Sequence, residues 1–486
     1  MAETVERWGV IDIALQGPSD GNPFADVQLS AKFTQGNRSV EASGFYDGDG
    51  AYKVRFSPDV EGEWSYVTAS NRDELAGKTG QITCVAPGDG NHGPVQVVNT
   101  FHFAYADGTP YKQVGTTCYV WNHQGDALEE QTLASLEDAP FNKIRFCVFP
   151  KSYDYNKNDP QFYAFPQAQP QGDAKYAFDL TRFDPAFWRH FEKRVSQLCE
   201  LGIEADIIVF HPYDRWGFKQ MARETNDFYL KYLIARIAPY RNVWWSMANE
   251  YDLMPWYPMA DWDHYFETFQ RLDPYNRMRG VHNCRQNAFY DHSKAWVTHC
   301  SVQSSDIHKV PQWREQYGKP VVIDECCYEG NNRHCWGNIT GEEMTRRFWR
   351  ATIGGGYCGH GETYVNPEEI LWWSKGGELV GTSPARIAFL RKILEDAPAA
   401  GLAPAGRRPV AACEGCASTG DAYFLAYFGV HQPASLTINL PEGKSYRIDQ
   451  VDTWEMKIET LKESASGKFE LAFAGKPYMA LRIVAV

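Results

Sequence analysis

The chain has 486 residues, of which 43% are hydrophobic and 22% are charged, and this composition excludes an intrinsically disordered protein. At roughly 150 residues per domain, the length predicts about three domains. The net charge of −13 and the lack of a lysine and arginine cluster argue against nucleic acid as a partner. The sequence contains no run of about 18 apolar residues, so no membrane span is predicted.

The beginning of the sequence, from Met1 to Glu6, contains neither a basic segment nor the apolar stretch that is typical of a signal peptide. We therefore expect a cytoplasmic protein whose 12 cysteines stay reduced. The sequence alone leaves open whether the protein acts as a monomer or as a homo-oligomer.

Residues 1–95 contain short segments in which polar and apolar residues alternate, and turns separate these segments. Polar and apolar side chains alternate over residues 27–33 and 51–56, and an Asp-Gly-Asp-Gly turn lies at residues 47–50. This pattern is typical of antiparallel strands and predicts an N-terminal β-sandwich. A stretch rich in Gly, Pro and Asn at residues 87–94 marks its end.

Apolar strands alternate with amphipathic helices in residues 96–400. One such helix is predicted to begin after Asp184 and to end before Gly202, and another has a capping box formed by Thr340 and Glu343. We predict eight strands, which end near Trp121, Phe149, Phe210, Asn249, Val281, Gln303, Glu325 and Gly359. Strands that alternate with helices form a parallel sheet, and this number of units fits a (β/α)₈ TIM barrel. An open doubly wound sheet is the competing fold, but no GxGxxG motif follows the first strand.

Residues 401–486 again show the pattern of short β-strands. Residues 423–428, 435–440 and 478–483 are short apolar or alternating segments of strand length. We therefore predict a second, C-terminal β-sandwich, which gives an α/β barrel flanked by two β-domains.

Two carboxyl groups follow predicted barrel strands. Asn249-Glu250 ends the fourth strand, and Asp324-Glu325 ends the seventh. Since the chemistry of such barrels takes place at the C-terminal ends of their strands, Glu250 and Glu325 are expected at the same mouth. Hydrolysis of a glycosidic bond requires two carboxyl groups, one on each side of that bond. The pattern therefore predicts a glycoside hydrolase that needs no cofactor and no metal.

This pair resembles the signature of glycoside hydrolase clan A, in particular its family-five-like and apiosidase-like members. The resemblance implies that Glu250 is the acid/base, that Asn249 holds the sugar 2-hydroxyl, and that Glu325 is the nucleophile of a retaining double displacement. Arg145 matches the arginine that supports the nucleophile, and His211 matches a histidine that contacts sugar in part of the clan. Many members also carry a strand-six Tyr and a strand-eight Trp that this chain lacks, so the sugar is not specified.

Further residues near predicted strand ends are of types that bind sugars, because aromatic faces stack on C–H surfaces and polar groups satisfy hydroxyls. The candidates for substrate contact are Trp121, His123, Asp214, Trp216, His282 and Glu362. A role in packing or local hydrogen bonding is the alternative for each of them. We expect a carbohydrate as the partner of this protein, in the form of oligosaccharides or small glycosides.

Two other functions are compatible with the sequence. A metal-dependent barrel hydrolase would draw its ligands from His211, Asp214, His282, His299, Glu325 and His360. Against it, the first predicted strand carries no HxH motif, and chelator sensitivity would separate the two cases. The third hypothesis is a non-catalytic carbohydrate-binding protein. The presence of both Glu250 and Glu325 argues against it.

Overall fold

Two strand-rich regions flank a barrel of parallel strands in the computed structural model, which describes residues 3–486. The N-terminal region contains one short helix, α1 (Pro23–Asp26), and the strands β1 (Glu3–Glu6), β2 (Ile11–Gln16), β3 (Leu29–Gln35), β4 (Arg38–Tyr46), β5 (Ala51–Phe56), β6 (Gly62–Ser70) and β7 (Thr79–Val85). The strands form one sheet in the order β1-β7-β6-β3-β4-β5-β2. Strand β4 turns the corner of this sheet, since its first half pairs with β3 and its second half with β5. Phe33 of β3 therefore stacks on Phe56 of β5, with ring centroids 3.9 Å apart.

A small antiparallel sheet closes the N-terminal end of the barrel. It consists of β8 (Val95–Val98), β9 (His102–Tyr105) and β10 (Pro110–Tyr111). Phe103 of this sheet packs on Trp244, which lies near the start of the fourth barrel strand, at a centroid distance of 5.2 Å. Because this end is filled with aromatic side chains, a site for substrate has to form at the opposite end.

The barrel strands run parallel and follow one another around the ring in chain order. They are β11 (Gly115–Thr117), β12 (Lys143–Cys147), β13 (Glu204–Phe210), β14 (Val243–Ala248), β15 (Met278–Gly280), β16 (Cys300–Gln303), β17 (Val321–Glu325) and β19 (Tyr357–His360). Two-residue strands, β18 (Glu329–Gly330) and β20 (Glu362–Thr363), pair beyond the barrel's rim. The eight strands form one sheet that begins with β15 and ends with β16, so the barrel is nearly closed. The predicted parallel barrel is confirmed, and its first strand ends at Thr117 rather than near Trp121.

The helices of the barrel region are α2 (Asp126–Glu137), α3 (Pro185–Glu200), α4 (Arg223–Ile237), α5 (Met259–Leu272), α6 (Val310–Tyr317), α7 (Gly341–Ile353), α8 (Trp372–Lys375) and α9 (Ser383–Glu395). The predicted caps are confirmed. The Asp184 side chain accepts a hydrogen bond from the backbone N–H of Ala186, and that of Thr340 accepts one from Glu343. These bonds satisfy N–H groups that have no partner within the helix. No helix within residues 3–486 is both long and apolar enough to cross a membrane.

The N-terminal region is attached to the barrel through buried charges. Arg236 of α4 donates to Asp47 at 2.9 Å and to Glu192 of α3 at 2.5 Å. Arg55 of β5 lies 2.8 Å from the same Glu192 carboxylate. Each of these side chains is less than 10% exposed. The ion pairs therefore join the two regions in a water-poor interface, where loss of one partner is costly.

The C-terminal region contains β21 (Ala403–Pro404), β22 (Gly415–Thr419), β23 (Tyr423–Tyr427), β24 (Ser435–Asn439), β25 (Tyr446–Asp452), β26 (Lys457–Ala465), β27 (Lys468–Ala472) and β28 (Met479–Ala485). Six of them form a sheet in the order β21-β22-β23-β28-β25-β26, and β24 pairs with β27. Strand β23 is buried on both faces. Phe424 belongs to the core of this region, whereas Tyr427 on the other face stacks on Trp349 of α7, with ring centroids 5.3 Å apart. This packing fixes the C-terminal region against the barrel.

Candidate active site

The two predicted catalytic carboxyl groups lie at the same end of the barrel. Glu250 comes two residues after the end of β14, and Glu325 is the last residue of β17. Their residues are only 5% and 3% exposed, respectively. Glu250 has a φ of 56°, in the left-handed region that residues other than glycine rarely adopt. Such backbone strain is found most often at functional sites, where it sets the direction of a side chain.

Glu325 is surrounded by groups that can stabilise its ionised form. The hydroxyl of Tyr119 donates a hydrogen bond to its carboxylate. Arg145 Nη1 lies 3.7 Å and His282 Nε2 lies 3.4 Å from its Oε1 atom. Burial raises the pKa of Glu325 to about 8, and the polar hydrogens of Tyr328 and Trp336 lower it in part.

A chain of buried ion pairs in the barrel interior holds Arg145 in position. Arg145 Nε lies 3.6 Å from Asp206. Lys143 Nζ bridges Asp206, at 2.8 Å, and Asp324, at 2.7 Å. The positive charges of Lys143 and Arg145 keep the pKa of Asp324 below its usual value, although burial acts against them. The charges below Glu325 are thus paired with one another, and Arg145 connects them to the site.

Glu250 and its neighbour Asn249 make different contacts. The hydroxyl of Tyr213 donates a hydrogen bond to the Glu250 carboxylate. Asn249 Oδ1 lies 3.0 Å from the oxygen of the same Tyr119 hydroxyl, whose single hydrogen is directed to Glu325. The amide nitrogen of Asn249 is buried without a hydrogen-bond partner among residues 3–486. This donor is therefore free to bind a ligand hydroxyl next to both carboxyl groups.

His282 lies beside Glu325 as a neutral side chain. Burial lowers its pKa well below the usual value, and the nearby Arg145 acts in the same direction. Neither ring nitrogen has a hydrogen-bond partner in the part of the chain that the structure describes. His282 can therefore offer one donor and one acceptor within the site.

A lysine lies among the aromatic side chains of the barrel mouth. Lys151 Nζ is 3.3 Å from the ring centroid of Tyr119 and 4.4 Å from that of Tyr213. The rings of Tyr153 and Trp373 lie within 6 Å of it. These contacts place a cation next to the two tyrosines that donate to Glu325 and Glu250.

The structure does not bring Trp121 and His123 to this site. Both belong to a short 3-10 helix, Trp121–His123, that follows β11. The ring of Trp121 is completely buried and packs edge-on against Phe146 in the core. His123 stacks on Phe187 of α3, on the outer side of the strands. Both side chains serve packing, because the chain turns away from the mouth after Tyr119.

Four other candidates for substrate contact also make structural contacts. His211 Nε2 lies 3.1 Å from the carbonyl of Phe149, while its Nδ1 atom has no partner among the described residues. Asp214 accepts from the backbone N–H groups of residues 216, 217 and 219, which fixes the turn after β13. Trp216 donates to Asp159. Glu362 accepts from the backbone N–H groups of residues 380 and 381, so its carboxyl holds the segment before α9.

Five residues of the site, Tyr119, Lys151, Tyr213, Tyr328 and Trp336, were not among the predicted ones. The first four of these lie two to four residues beyond the ends of β11, β12, β13 and β17. That shared position was a usable signal, because loops after the strands form the mouth of such a barrel. Trp336 lies in the 3-10 helix Cys335–Gly337, well beyond the end of the barrel strand β17 at Glu325, and no sequence pattern pointed to it.

The six ligands of the metal-dependent alternative are not brought together. Within residues 3–486, three or more His, Cys, Asp or Glu side chains meet in two places, Asp126-Glu129-His190 and Glu329-His360-Glu362. Only His360 of the six candidates belongs to either group. His299 packs against Trp244 at the closed end of the barrel, with ring centroids 5.0 Å apart. The arrangement of the six therefore does not form a shared metal site.

Three family models match the chain. The model described as "Apiosidase-like, catalytic domain" matches residues 98–382. Two domains of unknown function, DUF5060 and DUF5605, match residues 4–71 and 413–484. The matched ranges correspond to the barrel and to the two strand-rich regions that flank it. A search of the curated proteins found no match.

Solved structures share the fold. The crystal structure of a candidate glycoside hydrolase from Bacteroides vulgatus is 37% identical, with a TM-score of 0.92, and the match covers 100% of both chains. A glycoside hydrolase of family 5 from the same organism is 15% identical, with a TM-score of 0.62, and the match covers 81% of this chain and 94% of that one. The first match includes all three regions, and the second supports the fold alone.

Proposed function

Because the chain belongs to the family with the apiosidase-like catalytic domain, and is thus a clan A glycosidase, we propose that it is a retaining enzyme in which Glu250 is the acid/base and Glu325 the nucleophile. The observation that carries this proposal is the asymmetry of the two carboxyl groups. Glu325 lies beside the cation of Arg145, whereas no lysine or arginine nitrogen of residues 3–486 lies within 4.0 Å of the Glu250 carboxylate. The Arg145 cation favours the ionised state that a nucleophile needs, and it opposes the burial that raises the pKa of Glu325.

The proposed reaction has two steps. Glu325 attacks the anomeric carbon, and the glycosidic bond breaks as Glu250 gives its proton to the leaving oxygen. Glu250, now ionised, takes a proton from water, and the resulting hydroxide oxygen displaces Glu325 from the sugar. Asn249 would donate its free amide hydrogens to the sugar 2-hydroxyl, where a hydrogen bond strengthens in the transition state.

We also propose a division of the chain into three domains. Residues 1–95 and 401–486 form β-sandwich domains, and residues 96–400 form the barrel. We propose a cytoplasmic enzyme. We also propose that it acts on oligosaccharides or small glycosides, because Glu250 and Glu325 are only 5% and 3% exposed. Such a site suits removal of a terminal sugar better than cleavage within a long polymer.

The test measures sugar release from a broad panel of aryl glycosides and oligosaccharides, including apiosides. Glu325→Gln and Glu250→Gln are each expected to lose at least a thousandfold in kcat/KM, whereas Glu267→Gln on the exposed face of α5 keeps full activity. Proton NMR of the first released sugar is expected to show the anomer of the substrate. Release of the opposite anomer would contradict retention, and chelator-sensitive activity that survives Glu325→Gln would contradict the two-carboxylate mechanism.

A further inference from the structure

Two glutamates and a histidine meet at the rim of the barrel, out of contact with solvent. Glu329 belongs to β18, His360 ends β19 and Glu362 begins β20. These residues are at most 1% exposed. One carboxylate oxygen of each glutamate and one ring nitrogen of the histidine lie within 4.8 Å of one another. Three side chains that can bind a metal ion therefore converge on one small buried volume.

The two carboxylates have no counter-ion within residues 3–486. No lysine, arginine or histidine nitrogen lies within the 4.0 Å ion-pairing distance of either one. Each accepts hydrogen bonds from backbone N–H groups in residues 380–383, which satisfy part of its lone pairs. The Oε2 atoms of Glu329 and Glu362 lie within 2.7 Å of the place that a Cβ atom on Gly381 would take, so the two groups face the same point. Two neighbouring carboxylates are costly to bury unless a cation accompanies them.

His360 adds a buried polar atom that has no partner. Its Nδ1 atom lies 3.1 Å from Thr116 Oγ1, and its ring stacks on Phe141 at a centroid distance of 4.7 Å, so the ring is fixed. Its Nε2 atom makes no hydrogen bond in the part of the chain that the structure describes. The two carboxylates are more than 4.0 Å away, which is too far for a direct hydrogen bond. An ion between Nε2 and the two carboxylates would satisfy all three groups at once.

The donor set favours a divalent transition metal ion. One imidazole nitrogen and two carboxylate oxygens are suitable ligands for Zn²⁺ and Mn²⁺, whereas Ca²⁺ and Mg²⁺ prefer oxygen ligands alone. Two carboxylates also balance the charge of a divalent ion. When the Nδ1–H group of His360 donates to Thr116, Nε2 carries the lone pair that a metal needs, and a partner of this kind holds a metal-binding histidine in its orientation. Bonds of about 2.0–2.2 Å to such an ion would draw the three donors together by about 1 Å.

We propose that Glu329, His360 and Glu362 bind one divalent transition metal ion, which has a structural role and takes no part in the proposed reaction. The burial of all three residues denies a substrate access to the ion, as is typical of structural metal sites. The ion joins the loop after β17 to the end of β19 and to the segment before α9. Because the unfolded chain does not hold the three donors together, binding of the ion stabilises the folded protein.

The first experiment measures the metal content of the full-length wild type. The protein is stripped with a chelator, dialysed against Zn²⁺ or Mn²⁺ and then against buffer, and analysed by inductively coupled plasma mass spectrometry. About one ion per chain is expected to remain. Substitution with Co²⁺ is expected to give visible absorption bands, which report directly on coordination. The unfolding temperature should fall by about 3 °C or more on removal of the ion and recover when it is added back.

Variants locate the ion. Glu362→Gln and His360→Gln each remove one ligand at nearly constant side-chain volume and should weaken binding of Zn²⁺ about 100-fold or more. Thr116→Val keeps all three ligands and removes the partner of His360 Nδ1, so a loss of about 10- to 100-fold is expected. The matched control is His190→Gln in the group Asp126-Glu129-His190, where Arg194 already lies 2.5 Å from the Glu129 carboxylate. This variant should still bind one ion per chain.

Two results would overturn the proposal. The first is a wild type that retains less than about 0.1 ion per chain after exposure to Zn²⁺, Mn²⁺ and Co²⁺ and shows no shift in unfolding temperature, because the two carboxylates would then be compensated by a shared proton or a trapped water. The second is an ion that binds Glu362→Gln and His360→Gln as tightly as it binds the wild type, which would place it elsewhere. The wild-type measurements decide the matter even if a variant fails to fold.

Discussion

Arg145 Nη1 lies 3.7 Å from Glu325 Oε1, and both side chains are almost completely buried. A guanidinium keeps its charge at any pH at which the protein is folded. In a region that excludes water, this charge acts on Glu325 far more strongly than it would at the surface. Burial and the nearby cation thus have opposite effects on the carboxyl group that the proposed mechanism needs in its ionised form.

Replacement of Arg145 should therefore impair catalysis. Arg145→Gln is expected to lower kcat/KM by about 100- to 1,000-fold, which is the usual loss for one preorganised polar group at a reacting centre. The measurement is steady-state kinetics on folded protein, verified by circular dichroism. Arg279→Gln is the control, since Arg279 is a buried barrel arginine that donates to the backbone carbonyls of Trp296 and Arg277. An equal loss of activity in both variants would show that burial of an arginine, and not its contact with Glu325, is what matters.

The hydroxyl of Tyr119 should contribute through its contacts with Glu325 and Asn249. Tyr119→Phe is expected to reduce kcat/KM about 10- to 100-fold, because a hydrogen bond to a charged group contributes about 1.5–3 kcal/mol. Tyr251→Phe serves as the control, because Tyr251 adjoins Glu250 and its hydroxyl donates to the backbone of Ala288 outside the site. Unchanged kinetics in Tyr119→Phe would remove this residue from the proposed machinery.

The raised pKa of Glu325 predicts a loss of activity on the acid side. Below about pH 8 its carboxyl group binds a proton and cannot attack, so kcat/KM should fall nearly tenfold per pH unit on neutral substrates. Loss of the hydrogen bond in Tyr119→Phe should move this limb to higher pH, because the ionised form is then less well stabilised. An acid limb with a midpoint near pH 4.5 in the wild type would contradict the assignment of Glu325 as the group that titrates.

The buried ion pairs of Arg236 should be important for stability and not for catalysis. Arg236→Met leaves Asp47 and Glu192 without one of their partners in a buried interface, and a loss of about 3–5 kcal/mol in the free energy of unfolding is expected. Urea denaturation followed by tryptophan fluorescence measures it. Arg38→Met, which removes an exposed pair with Asp59, should cost about 1 kcal/mol at most. Similar losses in the two variants would argue against a contribution of the interface.

The barrel was predictable because its signals are local. Hydrophobic periodicity distinguishes strands from helices, and the caps at Asp184 and Thr340 depend on side chains within three residues of the groups that they bind. The same locality made Glu250 and Glu325 visible, since each ends an apolar strand. Parallel strands point their C-terminal ends in one direction, so two separate sequence positions could be placed at one mouth.

The surroundings of the carboxyl groups were decided by tertiary structure alone. Trp121 follows the first strand, as a sugar-binding residue would, yet the turn after Thr117 directs its ring into the core. Lys151 and Tyr119 stand in different loops of the sequence, and only the pairing of β11 with β12 brings the ammonium onto the ring. Strand ends can be read along the chain, because they depend on neighbouring residues. The direction of a side chain within a loop depends on packing against distant segments, and a single sequence does not contain that information in local form.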